Sequence, residues 1–540
     1  MRLKAVSGIL LILLLLIGKQ GLTSAVVPTE TTPSDPPIHI HLTWQNETNT
    51  TITVTWQTNS PTSGDIILYD SVSRGGAPSD YSCRTKGVNY TYSGSSGWIH
   101  VVELTGLNPS TIYYFICGGD TGGWSGERAF RTAPSTSSDT RFVVGGDSRT
   151  NWTERERISM SMAKFSPAFA MHSGDMVNDG IVQSQWDRWF TDVDTHWIGE
   201  DNLTIPIIPT LGNHEYPQYT QKYFHQFALP GNERWFSYDW GPHIHIICLD
   251  SESPASGAQR DWLENDLATH ANYTWKFVNF HRPPFVSGAH SPWTPARTHW
   301  VPLFDKYHVD IVFNGHEHNY QRTYALNWTA SQVDPQDYSD GTMYIVTGGW
   351  GAPLYSPEPI WYMARQNITY HFCLIDVFNN GTLHLQAKDN QGHTFDEVTI
   401  HKYARVLTIA SSPVTGVSLT INGTTQATPY TGLLPKGNYV LEMPENHNEY
   451  VWSHWLEDGN VNRTKVVIMD TDIALTGLFR HFCDLDKNGC VDMRDIAVAA
   501  SAFGSYPSHP RWNPNADMNK DNQVDMKDIV NIARNFGKDD

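Results

Sequence analysis

The stretch Arg141-Phe-Val-Val-Gly145-Gly-Asp147-Ser-Arg149 decides how this 540-residue chain reads. Its apolar run describes a strand buried on both faces, and a carboxylate and a guanidinium stand just beyond the strand's end. The same grammar recurs along the chain. Gly174-Asp175-Met-Val-Asn178 follows, then Gly212-Asn213-His214-Glu215 after Ile205-Pro-Ile-Ile-Pro209. His281 closes Phe277-Val-Asn-Phe, and Gly315-His316-Glu317-His318 follows Val309-Asp-Ile-Val-Phe313. A further buried-looking strand, His243-Ile-His-Ile-Ile-Cys248, and helical stretches such as Ala258–Ala268 are interspersed. The alternation predicts an α/β sandwich domain over residues 138–402, with its functional residues on loops at strand ends.

These blocks offer carboxylates, amides and imidazoles, the hard and borderline ligands that hydrolytic divalent metals take. A carboxylate bridging two cations about 3.5–4 Å apart lets one activate water while the other polarises a phosphoryl oxygen. A lone Gly-Asp is usually a turn, and a lone His is more often structural than a ligand. Five blocks in order, each after an apolar strand, are not explained by packing or turn chemistry.

Outward from this domain the pattern changes. Residues 1–25 read as a secretory signal, with Arg2 and Lys4 before an apolar run Ile9–Ile17 and small residues near Ala25. That run is shorter than the ~20 residues that span a bilayer, so no membrane span is expected after cleavage. Sequons at Asn46, Asn89, Asn151, Asn202, Asn367 and Asn422 fit a secreted, extracellular or cell-surface glycoprotein. Residues 26–36 form a Pro/Thr-rich linker, and 37–133 alternate with period two, predicting a β-sandwich. Its Leu104–Tyr114 turn and strand resemble a fibronectin type III domain, and Cys83 and Cys117 are candidates to pair. Residues 405–480 return to β-rich patterning without a catalytic cluster, so a spacer domain is expected there.

The five blocks together resemble the motifs of calcineurin-like metallophosphoesterases, and with a β domain in front the nearest relatives look like purple acid phosphatases. Carried over by position, the resemblance implies that Asp147 and His318 bind a first metal, that Asp175 bridges, and that Asn213, His281 and His316 bind a second. It implies contact of His214 with phosphate and a proton-donor role for His290. Two departures stand out. Asn178 replaces the tyrosine that colours purple enzymes, and Arg149 replaces the histidine of other metallophosphoesterases. Asn178 or water is then expected to complete the first site, Arg149 to reach a phosphate oxygen or a surface partner, and the enzyme to be colourless. The metals expected are Fe, Mn or Zn. The implied activity is hydrolysis of phosphate monoesters by metal-activated hydroxide attack.

Residues 481–540 hold two similar segments. Asp484, Asp486, Asn488, Asp492 and Asp495, then Asp517, Asn519, Asp521, Asp525 and Asp528, place oxygens at positions 1, 3, 5, 9 and 12 of a calcium loop. Apolar helices Ile496–Phe503 and Ile529–Phe536 are expected after them, and a Cys483–Cys490 link is conceivable. The tandem resembles a type I dockerin. That resemblance implies two bound Ca and docking to a cohesin domain on another protein.

Composition narrows the field. With 37 basic against 56 acidic residues the formal charge is -19, and no Lys/Arg cluster appears, which excludes a nucleic-acid surface. Six cysteines are too few for a disulfide-built scaffold. The competing readings are a phosphodiesterase or nucleotide hydrolase of the same superfamily, and a non-catalytic dockerin-borne binding protein.

Overall fold

The computed structural model describes residues 35–538, apart from 62–63, 217–219, 328–340, 403–404 and 435–436. The signal and nearly all of the linker lie outside the described residues.

Residues from Ile38 to Arg131 form a two-sheet β-sandwich. One sheet orders Ile38–Thr43, Ile52–Thr58, Trp98–Leu104 and Val88–Tyr90, and the other is built around Ile66–Asp70 and Ile112–Gly119. Cys83 and Cys117 pair with opposite edges of Ile66–Asp70, at Tyr69 and Ile67. Two strand spacings, roughly 10 Å, separate them, beyond the reach of a disulfide. Both are free thiols, which corrects the expected pairing.

The sandwich shares one apolar core with the domain that follows. His41 stacks on Phe190 at 4.5 Å and its Nε2 meets the Gln226 carbonyl at 2.9 Å. Tyr238 donates to the Trp44 carbonyl at 2.7 Å, and Arg128 pairs with Asp194 across the junction.

The central domain is two facing mixed sheets. The first orders Ile207–Pro209, Ala170–His172, Thr140–Gly145, His371–Val377, Thr382–Asp389 and Thr394–His401. The second orders Phe236–Trp240, Ile244–Cys248, Trp275–Asn279, Ile311–Asn314, Thr342–Thr347, Tyr320–Leu326 and Met363–Asn367. Thr140–Gly145, Ala170–His172 and Ile207–Pro209 run parallel, as do Trp275–Asn279 and Ile311–Asn314. All five are buried along their whole length except for Arg141, which is why their apolar runs were legible. Each ends at one of the polar blocks. The domain carries more strand than its α/β reading implied, because the chain returns from His371 onward in antiparallel strands.

Residues from Arg405 to His481 form a second two-sheet β unit around Leu407, Leu441, Trp455 and Phe479. Its last strand, Ile473–His481, runs directly into the acidic tail. The tail's helices are Met493–Ser501 and Met526–Arg534. They start three residues earlier than expected because Asp492 with Asp495, and Asp525 with Asp528, form capping boxes. Cys483 is buried against Met518 and Asn535 and is not joined to Cys490. Among the described residues no helix is long and apolar enough to cross a membrane.

Candidate metal centre

The five blocks meet where the parallel strands of the two sheets end. Bringing four loops together at backbone distance constrains them sharply. A Cβ at Gly212 would lie 2.2 Å from Asp175 Oδ1, and one at Gly315 would lie 2.5 Å from Asp147 Oδ2. Glycine at both positions is therefore a packing requirement. Asp147, Asp175 and His316 sit in the left-handed region at φ 58°, 58° and 70°. Such backbone costs about 1–3 kcal/mol per residue and persists where the surroundings fix it.

Two groups of ligand atoms result. In the second-metal group, His281 Nε2 lies 3.0 Å from Asn213 Oδ1, 3.4 Å from Asp175 Oδ1 and 3.2 Å from His316 Nδ1. In the first-metal group, His318 Nε2 lies 3.3 Å from Asp147 Oδ1. The far nitrogens fix the tautomers. His281 Nδ1 donates to the Ser173 carbonyl at 2.8 Å and His318 Nδ1 donates to the Pro353 carbonyl at 2.7 Å. His281, held neutral by burial, therefore offers its Nε2 lone pair toward carboxylate oxygen. Asp147 Oδ1 and Asp175 Oδ2 are buried without a hydrogen-bond partner. Lone pairs facing lone pairs in a buried site call for cations, so the donor set fits the two metals implied by the motifs.

Electrostatics divide the site, since Asp147 pushes the His318 imidazole up against burial. Burial pushes the Asp147 carboxyl up, against the pull of His318. Burial also holds His281 and His316 well below the ordinary imidazole range, as neutral rings. Asp147, Asp175 and His281 can bring one ligand atom each within 4.8 Å of the others.

The predicted non-ligand residues line the same cleft. Arg149 Nε lies 3.4 Å from Asp175 Oδ2 and its Nη2 lies 3.3 Å from His318 Nε2. His214 Nε2 lies 3.6 Å from Asp175 Oδ2, and the His214 N–H donates to Asp175 Oδ1 at 3.0 Å. The His290 ring lies 4.0 Å from that of His316. Asn178 departs from its expected place. It is exposed, and its Oδ1 accepts from Arg149 Nη1 at 2.8 Å, so it braces the guanidinium and does not join the ligand atoms.

The sequence reading missed other residues around the site. Glu215, fully buried, accepts backbone N–H groups from Asp175, Met176, Val177 and Gly212. Burial, then Asp175, pushes its carboxyl up to about 8 in the metal-free chain. Arg282, held by Glu252, places Nη1 3.3 Å from His316 Nε2. Tyr355 stacks on His318 at 4.2 Å. The only signal for Glu215 was its place inside a ligand block.

Comparison with known proteins follows this geometry. Residues 37–132 match the family described as "Purple acid Phosphatase, N-terminal domain", and residues 140–320 match "Calcineurin-like phosphoesterase". This protein is a metal-dependent phosphoester hydrolase. The hydrolase is 26% identical to mouse acid phosphatase type 7 over 420 residues, covering 68% of this chain and 91% of the relative. It is 30% identical to purple acid phosphatase 15 of Arabidopsis thaliana over 338 residues, covering 51% of this chain and 60% of the relative. Its fold is similar to that of the purple acid phosphatase PPD1 from yellow lupin seeds, with a TM-score of 0.59 and 21% identity over 68% of this chain and 74% of that one. The first of these matches spans the sandwich expected at residues 37–133 as a fibronectin III-like purple acid phosphatase N-terminal domain, and it bears out the purple acid phosphatase part of that expectation.

In the tail of the hydrolase, Asp484, Asp486 and Asp495 bring ligand oxygens within 4.8 Å of one another. Asp495 also accepts N–H groups from Leu485, Asp486 and Asp492, and Asp528 does the same for Met518, Asn519 and Asp525. Asn488 and Asn519 bond to Asp486 and Asp521 within their own loops, and Asp517 accepts from Asp521 and Asn522.

Proposed function

We propose that the hydrolase cleaves phosphate monoesters at a dinuclear centre of Fe, Mn or Zn outside the cell, tethered through its tail to a cohesin-bearing partner. The observation that carries the first part is the convergence of lone-pair donors: Asp147, Asp175 and His318 on one side, Asn213, His281 and His316 with Asp175 on the other. When bound, the two cations would supply an ionised water nucleophile and neutralise charge on the phosphoryl oxygens. Arg149 and His214 flank the bridging Asp175 and are placed to hold the non-bridging phosphoryl oxygens. His290, at the rim of the same cleft, gives the departing oxygen a proton. Because the metal ligands do not read the leaving group, the test compares 4-nitrophenyl phosphate with bis(4-nitrophenyl) phosphate in Mn, Zn and Fe forms across pH 4–9. Preference for the monoester is expected. Preference for the diester would assign the site to phosphodiesters.

The tail reading rests on the clustered oxygens of Asp484, Asp486 and Asp495. The acidic loops carry charge that Ca would neutralise, so metal and helix order are coupled there. Capture of a calcium-loaded tail by an immobilised cohesin, released by a chelator, is expected; equal capture without calcium would reject it.

A further inference from the structure

The loop that carries His316 and His318 holds between them a side chain without a role in binding metal. Glu317 is fully buried. Its Oε1 accepts the Ala289 N–H at 2.9 Å, and its Oε2 accepts both the His290 N–H at 2.9 Å and His290 Nδ1 at 2.8 Å. Gln321 ties the start of the 287–290 loop, accepting from the Ser287 N–H at 2.9 Å and donating to the Ser287 carbonyl at 2.6 Å. Gly288 lies between these anchors at φ +119°, where a Cβ would come within 2.5 Å of Glu317 Oε1. The loop is thus drawn onto the carboxylate by backbone and side chain together.

A carboxylate only accepts, so the His290 nitrogen facing it, Nδ1, carries a proton. That leaves Nε2 as the nitrogen presented away from Glu317, on a ring whose side chain is 34% exposed while Glu317 is 0% exposed. A histidine on an unbraced loop samples several ring orientations; this one is held at its backbone and at one ring nitrogen by a single buried group.

We propose that Glu317 is a positioning residue for the hydrolase, fixing His290 so that Nε2 delivers the proton to the departing oxygen. This rests on the reading of His290 as the leaving-group acid. In the step it serves, the water oxygen bonds to phosphorus while the ester P–O bond breaks. The leaving oxygen takes the Nε2 proton, and the proton shed by the attacking water restores it.

Leaving groups test this. 4-Nitrophenolate departs without a proton, whereas glycerol alkoxide needs one. Glu317→Gln is expected to lower kcat on glycerol phosphate by about 30-fold or more, within the usual reach of general acid catalysis, with kcat on 4-nitrophenyl phosphate changed by less than about 3-fold. KM for both and metal content should stay unchanged. His290→Ala should show the same selectivity, and Glu317→Gln should add nothing in the His290→Ala background. If His290→Ala is selective but Glu317→Gln is silent or slows both substrates alike, the positioning role is overturned while the acid reading stands. If His290→Ala shows no selectivity, both fall. Should Glu317→Gln fail to fold or lose metal, Gly288→Ala displaces the 287–290 loop from the same carboxylate without changing the segment that carries His316 and His318. It should reproduce the selectivity, and equal loss on both substrates overturns the proposal.

Discussion

Replacing Glu215 with alanine removes the acceptor that joins two of the ligand loops. Oε1 serves the Met176 and Val177 N–H groups at 2.9 and 3.3 Å; Oε2 serves Asp175 and Gly212 at 3.0 and 2.9 Å. The Asp175 loop and the Gly212-Asn213 loop are therefore held by one oxygen. A buried N–H left without a partner costs about 1–3 kcal/mol, and water entering the space recovers part of the loss, so a net destabilisation of about 4 kcal/mol is expected. For a unit of this size that corresponds to a fall in Tm of about 5–7 °C. Glu215→Gln should fall between: its carbonyl satisfies one pair of N–H groups, while its NH2 meets the other pair donor to donor. The assay is thermal unfolding of the metal-loaded protein followed by tryptophan fluorescence, with metal content measured in parallel. A Tm within about 1 °C of wild type for Glu215→Ala, or a glutamine variant as stable as wild type, refutes the bracing role.

Three further outcomes follow from named groups. With Asn178 braced on Arg149 where purple enzymes carry tyrosine, the iron-loaded hydrolase should lack a visible tyrosinate band, and such a band would overturn the assignment. Calcium should raise the helical circular dichroism of the tail, and Asp495→Ala should abolish the response, because Asp495 both joins the oxygen cluster and caps Met493–Ser501. Burial lowers His172 to about 3 and His41 and His371 to about 4. The unfolded chain binds their protons first, so their contribution to stability is present above about pH 6.5 and lost as pH falls toward 4. Unfolding at pH 5 should take up about three protons from them, measured by calorimetry in buffers of different ionisation enthalpy; no net uptake contradicts their buried neutral state.

Much of the centre was legible in the sequence because its physics forces its residue types. Strands buried on both faces read as unbroken apolar runs, and loops that approach to van der Waals contact need Gly212 and Gly315. What stayed hidden depends on direction. Glu215 and Glu317 look in sequence like any loop carboxylate, and only the fold turns them inward onto backbone N–H groups. The register that sets Cys83 and Cys117 on opposite edges of one strand has no local signal. Nor does the joint core, where His41 stacks on a phenylalanine 149 positions away, at Phe190. In the tail the capping boxes were written in the sequence, yet the apolar run alone set the expected helix start three residues too late.

The central claim is that one carboxylate, Asp175, joins two cations in a single hydrolytic site. Metal titration of the metal-free hydrolase, with bound metal counted and phosphomonoester turnover followed in the same samples, tests it most directly. The account predicts turnover that rises to a plateau at about two cations per chain, and no turnover for a folded Asp175→Ala protein at any loading. Full turnover at one cation per chain, or retained turnover in Asp175→Ala, would contradict it.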